Sequence, residues 1–413
     1  MKKALVAAAI AAAALAGVIV AVVASSGSTS PTPQPADTSV PATTAALLPP
    51  PGPSSPREKS FLIGTVDDSL EQQDPASAQL LVDTSHRAGF GAVDVSALWK
   101  RGQTEPSGAT LRALHNVAAA TRRDHMKLFV VVGHGLADAT PTGSHDREQL
   151  ASFTAAVARD VPGITGVVVD NEPNLPFFWQ PQFDAEGRDA AAVAYEDLLA
   201  RAYDAVKKEA PHVLVIGGAV SPRGTDDPHR LKTHSPLVFI RDLGAAYRDT
   251  GRKRPLMDAF AIHPYNRPAE GPTVEHEKQT QITLADYPKL VTLLDEAFRG
   301  TAQRGRTLPI FYTEFGVQTA VPPSKRRLYT AGTSPEAGRG VNPSKQAAYY
   351  REALALAYCQ PTVQGLFVFH TFDEPNLDGW QSGLYYVDRT PKPSLPAFRL
   401  AVGALRNGKL TSC

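Results

Sequence analysis

From Phe61 onward, short runs of β-branched and aromatic residues alternate with longer stretches whose apolar positions recur at helical spacing. The strand-like runs are Phe61–Val66, Ala92–Ser96, Lys127–Val132, Gly166–Asp170, Val213–Gly217, Ala259–His263, Pro309–Thr313 and Gly365–Phe369. The amphipathic runs between them are Ala76–Ala88, Thr110–Arg123, Arg147–Val161, Ala190–Lys208, Leu237–Arg248, Ala285–Arg299, Ser344–Ala357 and Leu395–Leu405. Asp74-Pro75 and Asn342-Pro343-Ser344 each pair a capping side chain with a first-turn proline, which marks a helix start. The strand runs are apolar without alternation, as strands buried on both faces are. Eight such pairs in strict order predict an α/β chain folded as a single (β/α)8 TIM barrel. A doubly wound open sheet is the alternative. Its usual Gly-rich phosphate loop is absent after the first strand, where Gly64-Thr65-Val66-Asp67-Asp68 stands. No repeat or second domain is evident.

The pattern changes before Phe61. Lys2 and Lys3 precede an Ala/Val/Ile-rich run that ends in Val22-Val23-Ala24 before Ser25-Ser26-Gly27, the form of an export signal with a small-residue cleavage site. The apolar run is roughly 20 residues, long enough to span a bilayer if it is not removed. Residues 1–24 are therefore expected to be a signal peptide or an N-terminal membrane anchor. Residues 25–57 are rich in Pro, Ser and Thr and are expected to be a disordered linker. The barrel takes residues 58–413. The protein is expected to be secreted, or held at the cell surface by that segment.

Composition narrows the partners. A formal net charge of +1 gives no reason to expect nucleic acid, and the chain is expected to act as a monomer. Cys359 and Cys413 could form one disulfide in an oxidising compartment. The other reading is a buried Cys359 and a frayed Cys413.

Chemistry in such barrels gathers at the C-terminal strand ends. Two glutamates lie there in similar settings: Glu172 in Asp170-Asn171-Glu172-Pro173 after strand four, and Glu314 in Thr313-Glu314-Phe315-Gly316 after strand seven. The remaining strand ends carry Asp67, Asp68, Ser96, His134, Ser221, His263, Tyr265, Asn266, His370, Asp373 and Glu374, with few cations. Such a rim suits a neutral polyhydroxyl ligand better than a phosphorylated one. Trp99, Phe177, Phe178, Trp179 and Trp380 could stack on sugar faces, or some of them could be core. Paired carboxylates suit glycosidic bond cleavage, with Glu172 as acid and Glu314 as nucleophile held ionised by Tyr265. Asn171, His134, His263, Tyr265, Trp179, Trp380 and Asp373 are the expected substrate-binding residues. The basic run Lys325-Arg326-Arg327, within the Ser324–Arg339 insertion, reads as a solvated loop or a face for an acidic glycan.

Asn171-Glu172-Pro173, Thr313-Glu314-Phe315-Gly316 and Ile262-His263-Pro264-Tyr265, in that strand order, resemble the clan A glycoside hydrolases, a cellulase-like superfamily that includes families 5 and 39. The resemblance covers the whole barrel. It implies a carbohydrate substrate, no cofactor or resident metal, and a retaining double displacement with Glu172 as acid/base and Glu314 as nucleophile. This chain departs from the pattern at three places. Asp170 stands where many members have Trp, Ser96 lies near the usual Arg, and His370 to Glu374 replaces a Trp-bearing segment. These departures bear on the substrate. Two other readings stay open: a glycan-binding barrel without turnover, and a metal-dependent hydrolase with His134, Asp170, His263 and Asp373 as ligands.

Overall fold

The computed structural model describes residues 61–267, 270–333, 340–409 and Cys413. The expected export signal and linker lie outside the described residues. Among the described residues, no helix is long and apolar enough to cross a membrane.

Eight parallel strands close a barrel in sequence order: β1 Leu62–Val66, β2 Ala92–Leu98, β3 Lys127–Gly133, β4 Ile164–Val169, β5 Leu214–Val220, β6 Ala259–Ile262, β7 Ile310–Phe315 and β8 Val363–Phe369. The helices are α1 Pro75–Ala88, α2 Gly108–Arg123, α3 Ser144–Asp160, α4 Ala190–Glu209, α5 Pro236–Thr250, α6 Tyr287–Phe298, α7 Pro343–Cys359 and α8 Leu395–Arg406. Each follows its strand, as expected for the fold. Asp74 accepts from the Ser77 amide at 2.8 Å and Asn342 from the Lys345 amide at 2.8 Å, so both predicted caps form. The expected sixth helix is divided: a short 3-10 turn, Leu284–Asp286, precedes α6.

Alternation along each strand divides the apolar residues into two cores. Val93, Val95 and Ala97 of β2 face the helices, while Ala92 faces the barrel axis. The axial core joins Ala92, Phe129, Val168, Ile216, Ala259, Ala261, Phe311, Phe367 and Phe369. Large rings on β3, β7 and β8 meet small residues elsewhere. A Cβ on Gly64 would lie 2.3 Å from the Phe367 ring, so only glycine leaves that ring its place. Closure between β1 and β8 is reinforced by Asp67, whose Oδ2 accepts the Thr371 and Phe372 amides at 2.9 and 3.2 Å.

The β7–β8 ladder carries an irregularity that matters for the site. Tyr312 pairs with Leu366 and Phe315 with Val368, so Thr313 and Glu314 together oppose Phe367 alone. This one-residue bulge keeps both Tyr312 and Phe315 against the helices and lets Glu314 turn toward the axis.

Cys359, at the end of α7, is bonded to Cys413, with Cα atoms 5.2 Å apart. The disulfide, one of two readings left open by the sequence, joins residues 54 apart.

Candidate active site

The open end of β4 and β5 carries concentrated backbone strain. Asp170, Glu172 and Ala219 all take left-handed φ values of 65°, 40° and 46°, which non-glycine residues adopt at a cost of about 1–3 kcal/mol each. The Glu172 amide donates to the Ala219 carbonyl at 2.9 Å and thereby locks the two turns together. Beneath them, His134 Nδ1 meets Asp170 Oδ2 at 2.7 Å and His134 Nε2 lies 2.7 Å from the Phe178 carbonyl. Asp170 Oδ1 accepts the Asn171 amide at 2.9 Å. A Cβ on Gly133 would lie 2.8 Å from that oxygen, so the close approach of Asp170 requires glycine there. Burial pulls the His134 pKa down, but the charge and hydrogen bond of Asp170 outweigh it and raise it. The pair fixes the turn that presents Asn171 and Glu172.

Glu172 is 4% exposed, and its Oε1 lies 3.0 Å from His263 Nδ1. The same Nδ1 lies 3.5 Å from Glu314 Oε2, and Tyr265 donates to that oxygen at 2.9 Å. The imidazole of His263 therefore bridges the two glutamates, and the phenol of Tyr265, from the same segment, holds Glu314. Glu172 Oε2 is buried without a hydrogen bond of good geometry among the described residues.

The electrostatics divide the pair. Burial pushes Glu172 up to about 8, moderated by Arg223 and Ser221. Burial also pushes Glu314 up, to about 7, where His263 and the Tyr265 hydrogen bond hold it down and the charge of Glu172 raises it. Glu172 is thus the stronger proton holder. Burial keeps His263 below the usual imidazole range, so the ring is neutral near pH 7 despite the pull of Glu314. Burial, with Glu314 next to it, pushes Tyr265 well above the usual phenol range, so its proton stays available for donation.

Other carboxyls stand around this pair. Asp68 accepts the Ser96 amide at 2.9 Å and is pushed by burial to about 6. Glu374 accepts the Trp380 amide at 3.1 Å and is pushed by burial to about 8. Asp94 faces inward on β2 with both carboxyl oxygens buried and unpartnered. Burial, then the charges of Asp68 and Glu314, raise it well above the usual carboxylate range. The Val93, Val95, Ala97 alternation was the signal that would have placed Asp94 on the inner face.

Of the expected substrate-binding residues, His263 and Tyr265 meet the glutamates directly. Trp380 is partly buried with its ring 5.0 Å from that of Tyr265, and Asn171 is partly exposed beside Glu172. Three others are engaged in packing. Trp179 is 1% exposed among core residues, its ring 5.9 Å from Tyr195. His134 is consumed by Asp170 and Phe178. Asp373 forms a buried ion pair with Lys392 at 2.6 Å and accepts from Tyr329 at 2.8 Å. Trp99 and Phe178 are core as well, leaving Phe177 partly exposed. Lys325 is held by Asp388 at 2.5 Å rather than presented to a ligand. The four conjectured metal ligands are spent in these contacts, and no cluster suited to a metal exists among the described residues. Arg223, just past β5, was not anticipated. It reaches back to the Tyr265 carbonyl at 2.7 Å.

No protein-family model matches the chain, and no curated protein matches it in sequence. Solved structures do match in fold. A β-glycosidase superposes with a TM-score of 0.52 at 18% identity, covering 86% of this chain and 98% of that one. GH5_18 from Streptomyces cattleya, in complex with GlcNAc, gives 0.54 at 17%, covering 84% and 81%. A GH39 β-xylosidase from Caulobacter crescentus gives 0.50 at 18%, covering 83% and 70%. The chain therefore has the barrel fold found in glycoside hydrolases of families 5 and 39.

Proposed function

We propose that this protein is a retaining glycoside hydrolase that cleaves O-glycosidic bonds of a poly- or oligosaccharide outside the cell. The observation that carries the reading is the single His263 Nδ1 lying 3.0 Å from Glu172 and 3.5 Å from Glu314. Those two legs hold the nearest carboxyl oxygens at most about 6.5 Å apart, a ceiling that admits the roughly 5–5.5 Å of retaining pairs and only the lower edge of the inverting range. The glycosidase names of the fold neighbours agree with this reading. The export-like residues 1–24 support action outside the cell.

In the first step a Glu314 oxygen attacks the anomeric carbon while Glu172 gives its proton to the departing oxygen, and the sugar becomes an ester of Glu314. In the second step Glu172, now a carboxylate, takes a proton from water, and the water oxygen displaces Glu314. The configuration is inverted twice and so retained. Tyr265 steadies Glu314 as its charge is lost and regained, and His263 holds both carboxyls in register.

The test is turnover across a panel of aryl glycosides and polysaccharides. Glu314→Gln is expected to lose activity by at least about 10⁴-fold, and Glu172→Ala to lose about 10²–10⁴-fold on poor leaving groups and far less on good ones. Azide should rescue Glu172→Ala with a product of retained configuration. An inverted first product, seen by NMR, would reject the double displacement. Equal and negligible turnover by wild type and Glu314→Gln, with glycan still bound, would replace the enzyme with a glycan-binding barrel.

A further inference from the structure

Arg223 is a half-buried cation without a matching anion among the described residues. Its only hydrogen bond among the described residues runs from Nη1 to the Tyr265 carbonyl at 2.7 Å, and its Nε is buried with no partner. It forms no ion pair among the described residues. The charges that reach it are Arg267, which repels it, and Glu270 and Glu172, which attract it. Glu270 is shared with His276 at 3.4 Å and with Arg267 at 4.0 Å. Glu172 is held largely protonated near neutral pH and offers little charge in return. A desolvated guanidinium in this position costs stability unless a ligand supplies the missing acceptor.

Beside it stands Asn266, one residue past the Tyr265 carbonyl that Arg223 binds. Its Nδ2 and Oδ1 are both buried and lack partners among the described residues. These orphaned atoms comprise a guanidinium N–H, an amide N–H and an amide acceptor. The two N–H groups suit an anionic group, and the acceptor suits a neighbouring hydroxyl. Arg223 lies near enough to Glu172 for its charge to act on that carboxyl, on the β5–β6 side of the site.

We infer that Arg223 and Asn266 form a subsite for an anionic substituent, a carboxylate or sulfate, on a sugar of the bound glycan next to the cleaved bond. The inference rests on the glycosidase reading above for its substrate, and names that substrate as an acidic glycan. The rim that suggested a neutral ligand thus contains one place built for charge. It is not the Lys325-Arg326-Arg327 run. An anion here also favours the protonated form of Glu172, the form the first step needs.

The experiment measures binding, so it does not depend on turnover. The full chain carrying Glu314→Gln is titrated calorimetrically with uronate oligosaccharides, their carboxyl-reduced counterparts, and sulfated oligosaccharides of equal length. The acidic ligand should bind at least about tenfold tighter than the reduced one, the effect of one charge-assisted contact. Whether the uronate or the sulfated series gives that preference identifies the anion. Adding Arg223→Gln should abolish the preference. Adding Arg223→Lys should restore only part of it, because a point charge replaces the fork. If the Gln variant does not fold, as read by circular dichroism, the comparison of acidic and reduced ligands on the parent chain decides alone. Equal or tighter binding of the reduced ligand, no binding of any acidic ligand, or a preference that survives in folded Arg223→Gln would overturn the subsite. Hydrolysis of neutral glycosides without an anion preference would reject the subsite and keep the glycosidase. Anion preference in a chain that hydrolyses nothing would keep the subsite and reject the glycosidase.

Discussion

Glu172 should cost this protein stability, and the cost should grow with pH. Its carboxyl titrates at about 8 in the folded chain and near 4.5 when unfolded. Between those values the native state holds a proton that the unfolded state has released. Stability therefore falls as pH rises through that window, and is unaffected by this group below pH 4.5. Glu172→Gln removes the titration while keeping the side-chain shape and an acceptor for His263. Each pH unit inside the window is worth about 1.4 kcal/mol. From pH 5 to pH 8 the variant should gain about 3 kcal/mol over wild type, with levelling as pH nears the folded value. For a barrel of this size that is a widening of about 4 °C in melting temperature. The assay is a pair of thermal melts at pH 5 and pH 8 for both proteins. A gap between variant and wild type that is the same at the two pH values, or that narrows at pH 8, would refute the assignment of the higher pKa to Glu172. Glu314→Gln should behave alike over a narrower window, since Glu314 titrates near 7. The double variant should gain less than the two singles together, because each charge raises the other.

Two further expectations follow from neighbouring contacts. Tyr265→Phe removes the hydroxyl that holds Glu314 ionised, so the acid limb of the kcat/KM profile should move up by on the order of one pH unit, with kcat/KM about 10–100-fold lower. An unmoved limb would mean that the 2.9 Å contact does not govern Glu314. Lys392→Met strands the buried Asp373 carboxylate and should cost about 3–5 kcal/mol in denaturant unfolding, much of it recovered by adding Asp373→Asn; a loss below about 1 kcal/mol would contradict a charged pair at this site.

The fold was legible because eight apolar runs and eight helical periods leave little room for another closed topology. Strand ends moved by one to three residues: β7 runs on to Phe315, so Glu314 lies within the strand rather than beyond it. The glutamate pair, His263 and Tyr265 were legible because strand order alone places them on one rim. Trp179, His134 and Asp373 misled for one physical reason. A polar or aromatic residue in a loop can face a ligand or the chain itself, and only packing decides. His134 and Asp373 each have an opposite charge, Asp170 and Lys392, brought from a distant part of the chain. Arg223 was invisible because nothing in Ser221-Pro222-Arg223-Gly224 announces that the side chain folds back over the site. Asp170, expected as a departure from the resembled superfamily, is tied to His134: the two form a buried strut.

The bulge in β7 makes the place of Glu314 a matter of counting. Tyr312 and Phe315 anchor the strand to the helical layer on either side of two residues that share one partner. Deleting Glu314 would restore an even ladder, with Thr313 opposite Phe367 and both anchors still against the helices, yet take the carboxylate from the axis. The barrel could thus lose its chemistry without losing its architecture, by a change of length rather than of residue type. A pseudo-enzyme descended from this chain could keep the whole apolar pattern of β7 and still be silent, and the strand's residue count, more than its hydrophobic pattern, would reveal it.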